Sequence, residues 1–234
     1  MIFHQLFERE SSTYTYLLAD AKTGEAILID PVFEMLERDL KLILELDLKL
    51  VAVFETHIHA DHMTAASEIR KRTQAKTFIG KASKVKCADE LLDDGQLITF
   101  GNLTIKALAT PGHTESCMSY YVADRVFTGD ALLIRGTGRT DFQQGSSHKL
   151  YESITTKLFK LPPETIVYPA HDYRGYDAST IGDEMRYNPR IKIGTTEEQF
   201  VKTMSELKLS RPPKLDEVLA ANLACGQRQE TLAR

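Results

Sequence analysis

Between Thr56 and His62 the chain reads Thr-His-Ile-His-Ala-Asp-His, three histidines and one aspartate within seven residues. Neutral imidazole and carboxylate are side chains that together bind first-row metals such as zinc and iron. The spacing adds a geometry. If the chain leaves a strand at Glu55, His57 and His59 project to the same side, because extended side chains repeat every two residues. Asp61 and His62 then open a helical stretch and turn toward a neighbouring point, so one short loop can aim at two adjacent metal positions. Few short motifs are this dense in ligands, and a chance cluster on a solvated loop is the weaker explanation. The segment predicts a bound metal.

Three more ligand-type residues stand at the ends of predicted strands. His113 lies in Thr110-Pro111-Gly112-His113-Thr114, Asp130 ends Phe127-Thr128-Gly129-Asp130, and His171 ends Tyr168-Pro169-Ala170-His171. Each is preceded by glycine or another small residue, which lets the backbone turn tightly and present a side chain at a sheet edge. Taken singly, each is more often a strand-end turn than a ligand. Taken with the 57–62 cluster, and in this order, they form one constellation.

The elements that must position these residues follow from hydrophobic periodicity. Residues 13–18 and 26–29 read as strands around the turn Lys22-Thr23-Gly24-Glu25. Pro31, after Asp30, opens a helix with Phe33, Leu36, Leu40, Ile43 and Leu44 on one face. Residues 50–54 form a buried strand, and 61–72 a helix with basic residues at its C-terminus. Further strands are expected at 77–79, 96–100, 103–108, 119–123, 125–127 and 166–168. A helix is expected over 147–161, ended by Pro162-Pro163. From Tyr173 onward the chain is helical or irregular, with breaks at Asn188-Pro189 and Pro212-Pro213. Strands in runs, with helices between and after them, point to two sheets packed face to face with helices outside.

At 234 residues the chain suits one elaborated domain with a substantial core. An apolar share of 42% and a charged share of 26% are those of an ordinary soluble globular protein. A net charge of −4 gives no reason to expect nucleic acid or an anionic membrane as partner. No apolar run approaches the roughly eighteen residues of a transmembrane span. The first ten residues lack a basic n-region and an apolar h-region, and carry early acids unlike a transit peptide. Cys87, Cys117 and Cys225 are odd in number and widely spaced, which argues against a disulfide framework. A reducing cytoplasm is then the simplest compartment. Cys117, close behind His113, reads as a small apolar core residue, since no basic neighbour lowers its pKa.

The order HxHxDH, a His in a Pro-Gly-His-Thr turn, an Asp in Thr-Gly-Asp and a downstream His resembles the metallo-β-lactamase superfamily. The resemblance implies an α+β fold, an αββα sandwich with its metal site at one edge of two mixed sheets. It implies one domain over 1–234, with 174–234 a helical or irregular extension. Asp30 resembles the superfamily aspartate that buttresses the metal loop, although a helix N-cap before Pro31 is an equal reading.

Two branches that act on glutathione-linked sulfur compounds are the contenders. Glyoxalase II hydrolyses a glutathione thioester, S-lactoylglutathione, with two metals. Persulfide dioxygenase (sulfur dioxygenase) oxidises glutathione persulfide with one iron. The stretch from Arg135 to Gly145, Arg-Gly-Thr-Gly-Arg-Thr-Asp-Phe-Gln-Gln-Gly, resembles the dioxygenases. So do Tyr168-Pro169-Ala170-His171-Asp172-Tyr173, Asn188-Pro189-Arg190 and the segment from Leu219 to Gly226. The tail after His171 is also short for the helical domain of glyoxalase II.

By residue type alone, His57, His59, Asp61, His62, His113, Asp130 and His171 suffice for two metals. The dioxygenase resemblance implies instead one Fe(II) per chain, held by His57, His113 and Asp130, a set suited to non-haem iron and O2. His59, Asp61, His62, His171 and Tyr173 then orient and tune the ligands. The implied reaction converts glutathione persulfide, O2 and water to sulfite and glutathione. Arg139 is the first candidate to hold the substrate, followed by Tyr173 and Arg190, with a structural ion pair an even alternative for Arg139. The partners expected are glutathione persulfide and O2, with a homodimer as the assembly considered. A non-catalytic binding module of the same fold is disfavoured, because it has no need of all seven ligand-type residues.

Overall fold

Every residue of the strand Thr13–Ala19 (β2) is buried, so this strand is covered on both faces. Its alternate side chains go to different cores. Tyr14, Tyr16 and Leu18 join one apolar cluster, while Leu17 and Ala19 join another. The same division by parity runs through Glu25–Ile29 (β3), where Ile27 and Ile29 face one way and Ala26 and Leu28 the other. In a computed structural model, which describes residues 1–210 and 215–227, this pattern resolves into four layers.

The first sheet has the order β1-β2-β3-β4-β5-β6, adding Ile2–Glu8 (β1), Lys49–Phe54 (β4), Lys76–Gly80 (β5) and Glu90–Leu92 (β6). The second contains Leu97–Phe100 (β7), Leu103–Ala109 (β8), Met118–Val122 (β9), Arg125–Gly129 (β10), Ile166–Pro169 (β11) and Ser179–Thr180 (β12). Its order is β12-β11-β10-β9-β8-β7. The strand pairs β3/β4, β4/β5 and β10/β11 are parallel and therefore need crossovers. Helices Leu36–Glu45 (α1), Ala66–Thr73 (α2) and Ser147–Thr156 (α3) supply them. Helices Ile181–Tyr187 (α4), Glu197–Ser205 (α5) and Leu215–Leu223 (α6) follow.

Between the sheets lie Tyr16, Phe54, Phe78, Tyr120, Phe127 and Tyr168. Leu36, Ile43, Ala66 and Ile69 of α1 and α2 cover the outer face of the first sheet. Leu150 and Ile154 of α3, with Ile181, Phe200 and Met204, cover the second. This is the αββα sandwich expected. Two buried tyrosines reach across it: the Tyr16 hydroxyl donates to Pro169 O (2.6 Å) and that of Tyr120 to Glu55 O (2.7 Å). Both acceptors lie at strand ends that carry ligand-type residues, so these bonds satisfy the buried hydroxyls and fix the rim as well.

Several expectations need correction. The helix expected over 61–72 begins only at Ala66, because the preceding backbone is bonded elsewhere. Phe33 N donates to Met63 O (2.9 Å) and Ala65 N to Pro31 O (2.8 Å). Asp61 and His62 therefore sit in an irregular loop. Leu44, assigned to the buried face of α1, is 78% exposed. The helix expected over 147–161 stops at Thr156 and continues as one 3-10 turn, Leu158–Lys160. Strands β1, β6 and β12 carry no clear sequence signal, the last two being only three and two residues long. The Pro212-Pro213 break lies outside the described residues.

The cysteine reading is also overturned, since Cys87 and Cys225 form a disulfide across a sequence separation of 138. Their spacing carries no such information, because α6 returns the end of the chain to the segment after β5. The argument for a reducing compartment loses its premise with this bond. Cys117 is a free buried thiol, as expected. Among the described residues no helix is long and apolar enough to cross a membrane.

Candidate metal centre

The strands β3, β4, β8, β10 and β11 all run into one edge of the sandwich, and the ligand-type residues sit just beyond their C-terminal ends, where open α/β sheets place ligands. Backbone bonds stitch that edge together: Met118 N donates to Thr56 O (2.8 Å) and Tyr14 N to Ala170 O (2.8 Å).

Asp30 organises the metal loop. Its backbone turns at φ +51°. Its carboxylate accepts Thr56 N on Oδ1 and the Thr56 hydroxyl on Oδ2, both at 2.7 Å. The buttress reading is therefore right, and the N-cap alternative is wrong, since the first 3-10 turn, Phe33–Met35, follows Val32 and uses no side-chain cap. Because the Thr56 proton goes to Asp30, its oxygen is left to accept from His57 Nδ1 (2.9 Å). That assigns the His57 proton to Nδ1 and leaves Nε2 as a free lone pair. His113 is set the same way, since Nδ1 lies 2.7 Å from the carbonyl of Arg139, which can only accept. Its Nε2 lies 3.6 Å from Asp130 Oδ2.

One ligand atom from each of His57, His113 and Asp130 falls within 4.8 Å of the others. Burial, followed by the neighbouring His59 and His113, pushes the His57 imidazole well below its usual range, so it stays neutral as a ligand must. Asp130 Oδ1, His62 Nε2 and His59 Nδ1 are buried without a hydrogen-bond partner among the described residues. Buried polar atoms are rarely left so, and two lone pairs plus a carboxylate facing one point fit a metal cation. The donor set fits either zinc or iron.

His59 differs at its two nitrogens, since Nδ1 is buried without a hydrogen-bond partner among the described residues while Nε2 faces carboxylates. Its Nε2 lies 3.1 Å from Asp30 Oδ1 and 3.4 Å from Glu55 Oε2. Burial opposes charge on this ring, but the two carboxylates outweigh it and raise the imidazole well above its ordinary range. Asp61, His62 and His171 surround a single hydroxyl: Thr13 Oγ1 is 3.3 Å from Asp61 Oδ2, His62 Nδ1 and His171 Nδ1. His59, Asp61 and His62 nevertheless form a second group with converging ligand atoms.

Two glycines permit this crowding. A Cβ on Gly138 would lie 2.2 Å from Asp130 O and 3.0 Å from the His113 ring. At Gly129 (φ +52°) it would lie 2.7 Å from the Thr56 side chain. Only a residue without a side chain lets these backbones approach.

Above the centre opens a cleft of about 1310 Å³ that includes His57, His113, Asp130, His171 and all three expected substrate-holding residues. Arg139 forks onto Asp141 with two bonds of 2.7 Å and donates to Ser210 O (2.7 Å). Its guanidinium stands 4.2 Å over the Phe142 ring. It holds its own loop, which is the structural alternative kept open for it. Arg190 donates to Thr137 O, and burial together with nearby Arg174 lowers its pKa. Tyr173 is 71% exposed at the mouth, its ring parallel to that of His171 at 6.0 Å. Burial pushes the Cys117 thiol up to about 12, which makes it inert.

Sequence reasoning missed the residue that ties the far end of the chain to the metal loop. The buried Asn222 accepts Thr64 N (2.9 Å) and donates to His59 O (2.9 Å) and His62 O (2.8 Å). Thr13 and Gln143 were missed as well, the latter donating to Ile58 O (2.8 Å). No local signal marks them, since each acts on a loop more than forty residues away.

The metallo-beta-lactamase superfamily model matches residues 9–171. The chain is 44% identical to persulfide dioxygenase ETHE1, mitochondrial, of Homo sapiens, over 99% of this chain and 91% of the relative. A crystal structure of ETHE1 from Myxococcus xanthus superposes with a TM-score of 0.95 at 51% identity, covering 97% of this chain and all of that one. Glyoxylase B2 of Dictyostelium discoideum is more distant, at 30% identity over 94% of this chain and 89% of its own length. The ligand order, the sandwich that delivers it to one edge and the near full-length match to the dioxygenases converge: this chain belongs to the persulfide dioxygenase family of the metallo-β-lactamase superfamily.

Proposed function

We propose that the protein is an iron-dependent dioxygenase that converts glutathione persulfide, O2 and water to glutathione, sulfite and protons. Membership of the family makes the chain an oxidoreductase with a metal cofactor. The choice of iron, of one ion per chain and of glutathione as the thiol is our reading.

The observation that carries it is the asymmetry of the seven ligand-type residues. With Nδ1 held by Thr56 and by the Arg139 carbonyl, His57 and His113 turn Nε2 toward Asp130, whereas the Nε2 of His59 lies against Asp30 and Glu55. Two imidazoles and one carboxylate leave coordination positions open, and iron bound there supplies the one-electron chemistry that O2 requires. The Thr56 hydroxyl and the Arg139 carbonyl hold the two rings in the ligating tautomer. Thr13 holds His62 and His171 beside them. The cleft is large enough for a tripeptide, and its cationic wall of Arg139, Arg174 and Arg190 suits the tripeptide's carboxylates. With Arg139 engaged by Asp141, Arg190 becomes the first candidate to meet a carboxylate.

A thioester hydrolase with two metals is the second reading, favoured by the converging group His59, Asp61 and His62. One experiment separates the two. Protein purified anaerobically from iron-supplied cells is analysed for metal, then assayed for O2 uptake and sulfite with glutathione persulfide. We expect one iron per chain, lost in His57→Ala, His113→Ala and Asp130→Ala but largely kept in His59→Ala and His171→Ala. Two zinc ions with brisk anaerobic hydrolysis of S-lactoylglutathione would establish the hydrolase instead.

A further inference from the structure

Behind the metal loop, on the side away from the cleft, lies a small cavity of about 20 Å³. A space of roughly 10–15 Å³ on this measure already holds one water-sized molecule. Its wall is almost entirely carbon, from Ile58, Ala66, Phe78, Ile79, Val85 and Ala88. Its polar neighbours turn almost no surface into it. Asn222 is spent on Thr64, His59 and His62, Glu55 Oε1 accepts the Thr64 hydroxyl, and His59 Nε2 faces Asp30 and Glu55 Oε2. A cavity of that size without hydrogen-bonding walls stays dry and takes up small apolar molecules such as xenon.

Its position gives it a role. His57 is the one residue that lines both this cavity and the active-site cleft, so the cavity lies directly behind the imidazole whose other side faces the metal position. On the outside it is bounded by Val85, Ala88 and Cys225, the last tied to Cys87 by the disulfide. A tripeptide persulfide seated in the cleft covers the open side of the centre, and the second substrate is a diatomic, uncharged and poorly hydrated molecule. We infer that this cavity is a holding site for O2, which concentrates the gas behind His57 while the cleft is filled by the organic substrate. The inference rests on the dioxygenase reading above.

Two measurements on the iron-loaded full chain test it. Crystals pressurised with xenon should show the gas between Ile79 and Val85. Val85→Leu, which extends a side chain into the space, should raise KM for O2 by about threefold while KM for the persulfide and the iron content stay unchanged. Ile79→Val, which widens the cavity, should not raise it. Absence of xenon from the cavity overturns the inference, as does an unchanged KM for O2 in a folded, iron-loaded Val85→Leu. If the wild-type enzyme takes up no O2 with persulfide, the dioxygenase reading itself fails, and O2 falls with it as the occupant. A loss confined to the variant's O2 dependence cannot be confused with that result.

Discussion

Asn222 gives the sharpest quantitative test of how the metal loop is held. Its amide makes three bonds to Thr64 N, His59 O and His62 O, all within 2.8–2.9 Å and all buried. A buried hydrogen bond contributes about 1 kcal/mol net, so Asn222→Ala should cost about 3 kcal/mol, and more if the loop cannot relax to satisfy the orphaned groups. For a chain of this size each kcal/mol moves Tm by about 2–4 °C, which predicts a fall of roughly 6–12 °C. Asn222→Asp should be worse than Ala, although it is nearly isosteric. It keeps the acceptor for Thr64 N but turns a carboxylate oxygen toward two carbonyls, burying an unpaired charge. Urea denaturation of wild type and both variants, with metal removed so that ligation does not mask the effect, reads the difference directly. If Asn222→Ala costs under about 1 kcal/mol, or if Asp is tolerated better than Ala, the three-bond clamp is not what holds the loop.

Other outcomes are equally specific. Gly138→Ala should fold but bind metal at least tenfold more weakly, because its methyl would drive Asp130 and the His113 ring apart; equilibrium dialysis against a competing chelator measures this. Arg139→Lys should keep its metal and raise KM for the persulfide, since lysine lacks the fork that grips Asp141; unchanged kinetics would remove Arg139 as the brace of this wall. Burial lifts the Asp39 carboxyl from 3.8 to about 6 against the pull of Arg38. The native state then holds a proton that the unfolded state releases, so stability falls as pH rises toward and through 6. Asp39→Asn should be neutral below pH 4 and relatively stabilising by about 2–3 kcal/mol above pH 7, checked by denaturant midpoints across that range. Finally, Cys87 and Cys225 should resist alkylation in the unfolded chain until a reductant is added, and reduction should lower the stability by about 2–4 kcal/mol; immediate labelling of all three cysteines would contradict the bond.

Much of the site was legible in the chain itself. Residues 57–62, His113, Asp130 and His171 combine ligand chemistry with the small residues of strand-end turns, and both are local properties that a sequence states outright. The sandwich followed because strands in runs, with helices between and after them, point to two packed sheets, and the family resemblance named its layers. Which ligand atoms are free is another matter. The orientation and tautomer of His57, His113 and His59 depend on Thr56, the Arg139 carbonyl, Asp30 and Glu55, contacts that only the assembled strands create. The same holds for Asn222 on the metal loop, Thr13 against His171 and Cys87 bonded to Cys225. Each joins positions too far apart in sequence for propensity or periodicity to relate them. Arg139 makes the point from the other direction. Its place beside a glycine-rich turn left a substrate clamp and a structural ion pair equally open, and in the folded loop Asp141, two residues on, takes its fork. The chain specifies which chemistry is available through residue type and local spacing, whereas the tertiary structure decides which of those groups is free to perform it, because hydrogen bonds over long sequence distances consume the rest.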